Sequence, residues 1–198
     1  MRLILASASP RRRELLERLG VPFEVRPSGI EEPLPPGVPA PTLAASLARA
    51  KAADVAARLH AAGETSALVL GADTLVVLDG RPLGKPASRN DARAMLRALR
   101  GRSHEVVTAV VLRDVDPAGR ERTETVVSQV LMRAYTDAEI DAYVATGEPD
   151  DKAGAYAVQG AGGSLVSRVD GCYTNVVGLP LRTTARLLQA FGLAPASI

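Results

Sequence analysis

The chain has a single cysteine, Cys172, two histidines, His60 and His104, no tryptophan, and aromatic residues at only 3% of its 198 positions. One thiol excludes an internal disulfide and a cysteine-based zinc cluster, and a reducing compartment is its simplest home. Two histidines rule against a histidine-rich metal centre, so any metal must be a hard cation on oxygen ligands. The scarcity of aromatics makes the core aliphatic and removes the stacking platform on which single-stranded nucleic acids are bound. No apolar run approaches the roughly 18 residues of a membrane span. Leu3–Ala6 behind Arg2 is also shorter than the roughly 7–15 apolar residues of a secretion signal, which predicts a cytoplasmic protein. A formal net charge of +2 is too small for the footprint of a duplex binder, so a positive patch must be local and sized for a small anion. No G-x-x-x-x-G-K-[ST] occurs, and a Walker loop is excluded.

With 46% hydrophobic and 23% charged residues, the remainder reads as one domain over residues 1–198, or one compact domain with two lobes. The chain is organised around Leu3–Gly20. Leu3-Ile4-Leu5-Ala6 predicts a buried strand, and Ser7-Ala8-Ser9 leads from it into a helix. Ser9 caps that helix, Pro10 is its first residue, Leu15, Leu16 and Leu19 share a face, and Gly20 stops it. Arg11-Arg12-Arg13 breaks the local rule. Each cation in a first turn is disfavoured by roughly 0.3–1 kcal/mol at the positive end of the helix dipole. A polyphosphate resting on the helix end would remove the conflict, with backbone N–H groups, the Ser7 and Ser9 hydroxyls and the guanidinium forks all directed at it. The plainer alternative is that the arginines fan into solvent or bind carboxylates.

Val21–Pro41 is a proline-dense connector carrying Glu31 and Glu32. Thr42–Ala62 predicts an alanine-rich helix capped by Thr42, with Leu43, Leu47, Val55 and Leu59 on one row. Lys51 continues that row, either as a snorkelling stem or as a phosphate-directed ammonium at the wall of a cleft. Ala67–Leu70 and Thr74–Leu78 read as two strand pieces, and Asp79-Gly80 as a hairpin turn. Between the pieces, Asp73 is costly to bury unless paired or metal-bound. At a strand end it could hold Mg²⁺ or take a proton from water, or it merely opens a turn. Lys85 follows on a rigid loop. Ser88–Arg100 as a helix, a long hairpin over residues 106–133 and a short helix from Thr136 to Gly147 look like scaffold. Glycines 154, 160, 162 and 163 predict a mobile loop, or one that approaches a ligand closely. In that loop the Gln159 amide, one acceptor beside a donor pair, suits the N3–H and O4 of uracil or thymine, against a plain surface role. Ser164–Val169 reads as a strand and Leu181–Phe191 as the closing helix.

Three stretches together, Ser7-Ala8-Ser9-Pro10-Arg11-Arg12, Gly71-Ala72-Asp73-Thr74 and the run from Asp151 to Gly160, resemble the Maf family of nucleoside triphosphate pyrophosphatases. Gly29–Glu32, Arg49–Ala52, Lys85-Pro86 and Asn175–Leu181 follow in the family's order, so the resemblance runs from Leu3 to about Phe191. It implies a Maf/ITPase-like α/β fold: an elongated mixed sheet flanked by helices, with a central cleft between two lobes, often as a homodimer. It also implies hydrolysis of a free nucleotide, a nucleoside triphosphate, to monophosphate and pyrophosphate with a divalent metal cation, Mg²⁺ or Mn²⁺. By position, Asp73 corresponds to the proton acceptor, and Asp73 with Glu32 to the acids at the metal. Arg11, Thr74 and Gln159 match positions tied to substrate choice, and Ser7, Ser9, Arg12, Lys51 and Lys85 match triphosphate contacts. The Gln-Gly pair with Asp-Lys-Ala-Gly-Ala-Tyr resembles the branch acting on dTTP and UTP, with modified pyrimidine nucleotides beside them, rather than the branch acting on 7-methyl-GTP. Ala8 stands where glycine is common, and Ala157-Val158 where Gly-Ile is usual.

The chemistry of the residues points the same way. A triphosphate needs several cations, and Asp73 could deprotonate an attacking water directly or through the metal. A free Gln159 amide could rotate to suit cytosine, so preference for uracil or thymine requires neighbours that pin it. Two other classes compete: a non-catalytic nucleotide-binding regulator of cell division, and an RNA or DNA binder, which the small net charge disfavours.

Overall fold

The aliphatic and β-branched runs all enter one sheet, and the alanine- and leucine-periodic runs become the helices that cover it. The computed structural model describes residues 1–196. In chain order it contains β1 (Arg2–Leu5), α1 (Pro10–Glu17), β2 (Phe23–Val25), α2 (Ala40–Ala61), β3 (Ala67–Leu78), β4 (Arg81–Leu83), α3 (Arg89–Leu99), β5 (Ser103–Asp114) and β6 (Glu121–Met132). Then follow α4 (Asp137–Ala145), 3-10 turns at Glu148–Asp151, Ala153–Ala155 and Gly160–Leu165, β7 (Val166–Asp170), α5 (Tyr173–Val177) and α6 (Leu181–Ala190). The strand order is β2-β1-β3-β5-β6-β7, with β4 also paired to β3. β1 runs parallel to β2 and β3, and the other pairings are antiparallel. The expected α/β class, a mixed sheet flanked by helices, is what the chain forms.

Period-two alternation on β3 assigns the core. Val69, Leu75 and Val77 face α2 and pack with Ile4, Leu47, Val55 and Val107. Leu68, Leu70 and Ala72 face the other way, onto Leu15, Leu16 and Leu19 around α1 and onto Leu187 and Leu188 of α6. Further along that second face, Val76, Leu78 and Val106 pack with Leu96 of α3 and with Ile140 and Val144 of α4. The same alternation sends Asp73 to the α2 side and Thr74 to the α1 side.

Four expectations need correction. β3 is one continuous strand, so Asp73 neither ends a strand nor opens a turn. β5 pairs with it without a break from Leu68 to Val77, and that ladder holds Gly71 and Asp73 despite their poor strand propensity. α2 starts at Ala40 after Pro39, with Pro41 in its first turn, so Thr42 lies inside the helix and caps nothing. A proline there needs no N–H partner. The connector hides β2, whose three residues are too few to show a period. The glycine loop closes on its own protein: Glu148 accepts hydrogen bonds from Tyr143 Oη, Ala161 N and Gly162 N at 3.0–3.1 Å. A Cβ on Gly162 would lie 2.5 Å from Tyr143 Oη. Ala8, which stands where glycine is common, does not have a positive φ, so that position needs no glycine for its backbone conformation.

Two features of β3 place the site. α2 lies directly against the strand at Gly71, where a Cβ would stand 2.4 Å from the Ala48 carbonyl oxygen. On the edge opposite β5, pairing to β1 reaches only Leu70, and pairing to β4 starts only at Val76. Among the described residues, no strand pairs with residues 71–75 on that side.

Gly71→Ala forces α2 off β3 and is expected to destabilise by about 2 kcal/mol or more in urea unfolding, as overpacking does. His104 supplies a second test. It is 3% exposed, its Nε2 lies 2.7 Å from Tyr156 Oη, and burial pulls its pKa down from 6.5 to about 4. The unfolded chain then binds more protons than the folded one between those values, so stability falls as pH falls. Between pH 7 and pH 5 the loss is expected to be about 2 kcal/mol, and His104→Gln flattens that slope.

Candidate active site

The gap in the β3 edge opens into a cleft of about 490 Å³. Ser7, Ser9, Arg11, Arg12, Glu32, Lys51, Asp73, Thr74, Lys85 and Gln159, drawn from six separate places in the chain, all line it. The turn after β1, the Glu32 loop, α2, both faces of β3, the loop after β4 and the glycine loop thus meet around one space. Acidic and basic machinery enter from opposite faces of the sheet.

On the α2 side, the close approach at Gly71 brings Lys51 against Asp73. Lys51 Nζ donates to Asp73 Oδ1 at 2.7 Å and contacts Glu32 Oε1 at 2.8 Å. Lys51 and Asp73 side chains are 6% and 4% exposed, whereas Glu32 is 49% exposed. Asp73 Oδ2 is buried with no hydrogen-bond partner. An orphaned carboxylate oxygen is costly, and a water proton or a cation reaching it would relieve that cost. Partial burial pushes the Glu32 carboxyl up, but the Lys51 hydrogen bond and charge, with Lys85 and Arg12 behind, outweigh it and hold the carboxyl below its ordinary range.

On the α1 side, the three arginines separate. Arg13 takes the plain alternative, an exposed ion pair with Glu17 one turn along. Arg11 lines the cleft without a hydrogen bond to protein among the described residues. Arg12 is held from three directions: Nε donates to the Gly178 carbonyl at 3.0 Å, Nη1 to Ser7 Oγ at 3.2 Å and Nη2 to Thr74 Oγ1 at 3.1 Å. All three acceptors are neutral. Burial pulls the guanidinium pKa down while Asp73 and Glu32 across the cleft raise it, yet an arginine keeps its proton at any working pH. Ser9 caps α1 by accepting from Arg12 N, and Ser7 Oγ accepts from Ser9 N. Both hydroxyls accept from protein and so have their protons free for an anion.

No hydrogen bond pins the Gln159 amide among the described residues, so the protein alone does not choose between its two flips. Lys85 has no ion-pair partner there either. No group of three or more His, Cys, Asp or Glu residues is arranged for a metal among the described residues. Asp73 and Glu32 nevertheless converge on one ammonium, and Asp73 Oδ2 is unspent. Magnesium is held by one or two carboxylates completed by substrate phosphates and water, and this pair fits that pattern. Gly178 and Asn175 entered the sequence reading only within the run Asn175–Leu181, with no role of their own, because their contacts are with residues remote in the chain. Thr108, which sits behind Thr74, was passed over. Lys152 also lines the cleft, paired with Asp151.

The profile of the Maf family, described as Maf-like protein, matches residues 2–191. The chain is 52% identical over 192 residues to the dTTP/UTP pyrophosphatase of Anaeromyxobacter dehalogenans, covering 96% of this chain and 94% of that one. It is likewise 52% identical over 192 residues to the dTTP/UTP pyrophosphatase of Moorella thermoacetica, covering 97% and 96%. Among solved structures, the Staphylococcus aureus Ham1 protein aligns at 16% identity and a TM-score of 0.48, over 96% of this chain and 97% of that one; so distant a likeness has no bearing on the site.

The two partners of Lys51 should differ in worth. Lys51→Met strands a buried carboxylate and is expected to cost about 3 kcal/mol in chemical denaturation at neutral pH. Glu32→Gln removes a half-exposed partner and should cost less than about 1 kcal/mol. Because the Glu32 carboxyl is depressed from 4.5, its share persists at neutral pH and fades only as acid protonates it.

Proposed function

The chain belongs to the Maf family, and on that premise we propose that it is a pyrophosphatase hydrolysing dTTP and UTP to the monophosphate and pyrophosphate. One observation carries the reading: a cationic helix turn and a buried aspartate, on opposite faces of the sheet, share a single cleft. Arg12, preset by three neutral acceptors, binds phosphoryl oxygens with its remaining N–H groups, and Arg11 and Lys85 add charge that no carboxylate among the described residues consumes. The Ser7 and Ser9 hydroxyls donate beside them at the N-terminus of α1. The leaving pyrophosphate keeps its charge stabilised by the same groups, an electrostatic strategy with no covalent intermediate.

Asp73 is the base. Lys51 holds Oδ1 and so fixes the carboxylate, while Oδ2 is left to accept the proton of an attacking water. Two carboxylates share one ammonium, so when Asp73 takes that proton Glu32 still balances Lys51. A divalent cation, Mg²⁺ or Mn²⁺, held by Asp73 and Glu32 would supply further positive charge at the phosphates. Gln159 lines the cleft within reach of a base edge; its amide, held by no hydrogen bond among the described residues, turns to suit the pyrimidine presented and does not by itself exclude cytosine. In this reading the substrate is a free nucleotide and the enzyme works in the cytoplasm, as the homodimer that the resemblance implies. No helix among the described residues is long and apolar enough to cross a membrane.

Pyrophosphate release from a panel of nucleoside triphosphates with Mg²⁺ or Mn²⁺ tests this. Turnover of dTTP and UTP is expected, and Asp73→Asn should lower kcat by about 100-fold or more with the circular dichroism spectrum unchanged. Single-phosphate release, or full turnover in Asp73→Asn, overturns the reading; tight binding without turnover would make the protein a nucleotide-binding regulator.

A further inference from the structure

Thr108 plays no part in the chemistry above, yet it is fully buried and lies on β5 directly opposite Thr74 in register. Its Oγ1 is 2.9 Å from Thr74 Oγ1 and 2.9 Å from the Asn175 carbonyl oxygen. A carbonyl only accepts, and a hydroxyl has one proton to give. The Thr108 proton is therefore committed to Asn175, and the contact between the two hydroxyls is a hydrogen bond only if Thr74 donates. Thr74, its proton spent, meets Arg12 Nη2 with lone pairs alone. The file has one polarity: Arg12 to Thr74, Thr74 to Thr108, Thr108 to Asn175.

Its far end is anchored as firmly. The fully buried Asn175 donates from Nδ2 to the Val106 carbonyl and to Ser128 Oγ, both at 2.9 Å. Ser128 Oγ in turn accepts from Cys172 N at 3.0 Å. These contacts hold α5 onto β5 and β6, and just past its end comes Gly178, the acceptor of Arg12 Nε. Of five guanidinium donors, three are then taken by fixed acceptors and two remain for an anion.

We propose that Thr108 is a positioning residue for phosphate binding: by drawing the Thr74 proton inward it makes Thr74 a pure acceptor, which fixes the guanidinium of Arg12 with its free N–H groups toward the cleft. The proposal rests on the reading that Arg12 grips the triphosphate. Thr108→Val keeps the shape and deletes the acceptor, so the Thr74 proton is released to turn against the guanidinium. Thr108→Ser keeps the hydroxyl and gives up a methyl group. Binding of inorganic tripolyphosphate by calorimetry with Mg²⁺, and steady-state pyrophosphate release from dTTP, separate the two. Thr108→Val is expected to weaken tripolyphosphate about ten-fold and to raise KM for dTTP by a similar factor, with kcat changed much less. Thr108→Ser should stay within about two-fold of the parent in both, even as its melting temperature drops. If Thr108→Val does not fold, Thr108→Ala set against Thr108→Ser isolates the hydroxyl at equal loss of the methyl, and the same ten-fold gap is expected. A Thr108→Val protein that binds and turns over like the parent overturns the proposal, as does a Thr108→Ser protein impaired equally, or a parent that does not bind tripolyphosphate. A parent that shows the binding pattern but releases no pyrophosphate overturns the pyrophosphatase reading and leaves this proposal standing.

Discussion

The Lys51 ammonium between Asp73 and Glu32 is the interaction on which the rest depends. A buried carboxylate in the middle of a strand is costly without a cation beside it, and here α2 delivers one by lying on the strand backbone. Gly71 permits that approach, two residues before Asp73 and on the same face; Lys51 sits one turn beyond Ala48, whose carbonyl occupies the space a Gly71 Cβ would need. The helix contact and the ion pair are thus one feature seen at two positions. Any change that lifts α2 also unpairs Asp73. Stability of the sheet and chemistry of the cleft cannot be altered separately there.

The other half of the site follows a different rule. Among the described residues Arg12 has no carboxylate partner; its guanidinium donates to a backbone carbonyl and two hydroxyls. A guanidinium fixed by neutral groups keeps its full charge available to a ligand, whereas one tied to a carboxylate would have to trade partners first. Partial burial at the cleft wall pulls its pKa down, and the carboxylates of Asp73 and Glu32 across the cleft oppose that. The three arginines of the first turn therefore divide the work. Arg12 is positioned, Arg11 is free to reach, and Arg13 is neutralised by Glu17 outside the site.

Much of this was legible in the sequence where a local rule was either obeyed or broken. Ser9 before Pro10 marked the start of α1, three cations against a helix dipole marked the turn whose Arg11 and Arg12 line the cleft, and an aspartate among strand formers marked Asp73. Where a feature depends on partners remote in the chain, the sequence was mute or ambiguous. Lys51 fitted a snorkelling stem as well as a cleft ammonium until Asp73 and Glu32 were seen beside it. The continuity of β3 is imposed by its ladder with β5, which overrides the poor strand propensity of Gly71 and Asp73. Thr108 carries no local signal, because its meaning lies in being opposite Thr74. The glycine loop offered two readings, mobility or close approach to a ligand; its glycines pack on protein, Gly154 on Val76, Gly160 on Glu148, Gly162 on Tyr143 and Gly163 on the Val158 carbonyl, while Gln159 beside them lines the cleft.

Charge balance across the cleft connects the two halves. Five cations, Arg11, Arg12, Lys51, Lys85 and Lys152, face three carboxylates, Glu32, Asp73 and Asp151. The surplus of two positive charges is concentrated on Arg11, Arg12 and Lys85, since Lys51 and Lys152 are already paired. A fully ionised triphosphate carries more negative charge than that surplus, so in the proposed reaction the protein alone leaves the substrate incompletely neutralised, and one divalent cation makes up the difference. The place for it is the acid-rich side, where two carboxylates face a single ammonium and one of them has an oxygen without a partner. In that reaction the excess of acid around Lys51, more than a structural ion pair needs, would take up both a proton and a cation.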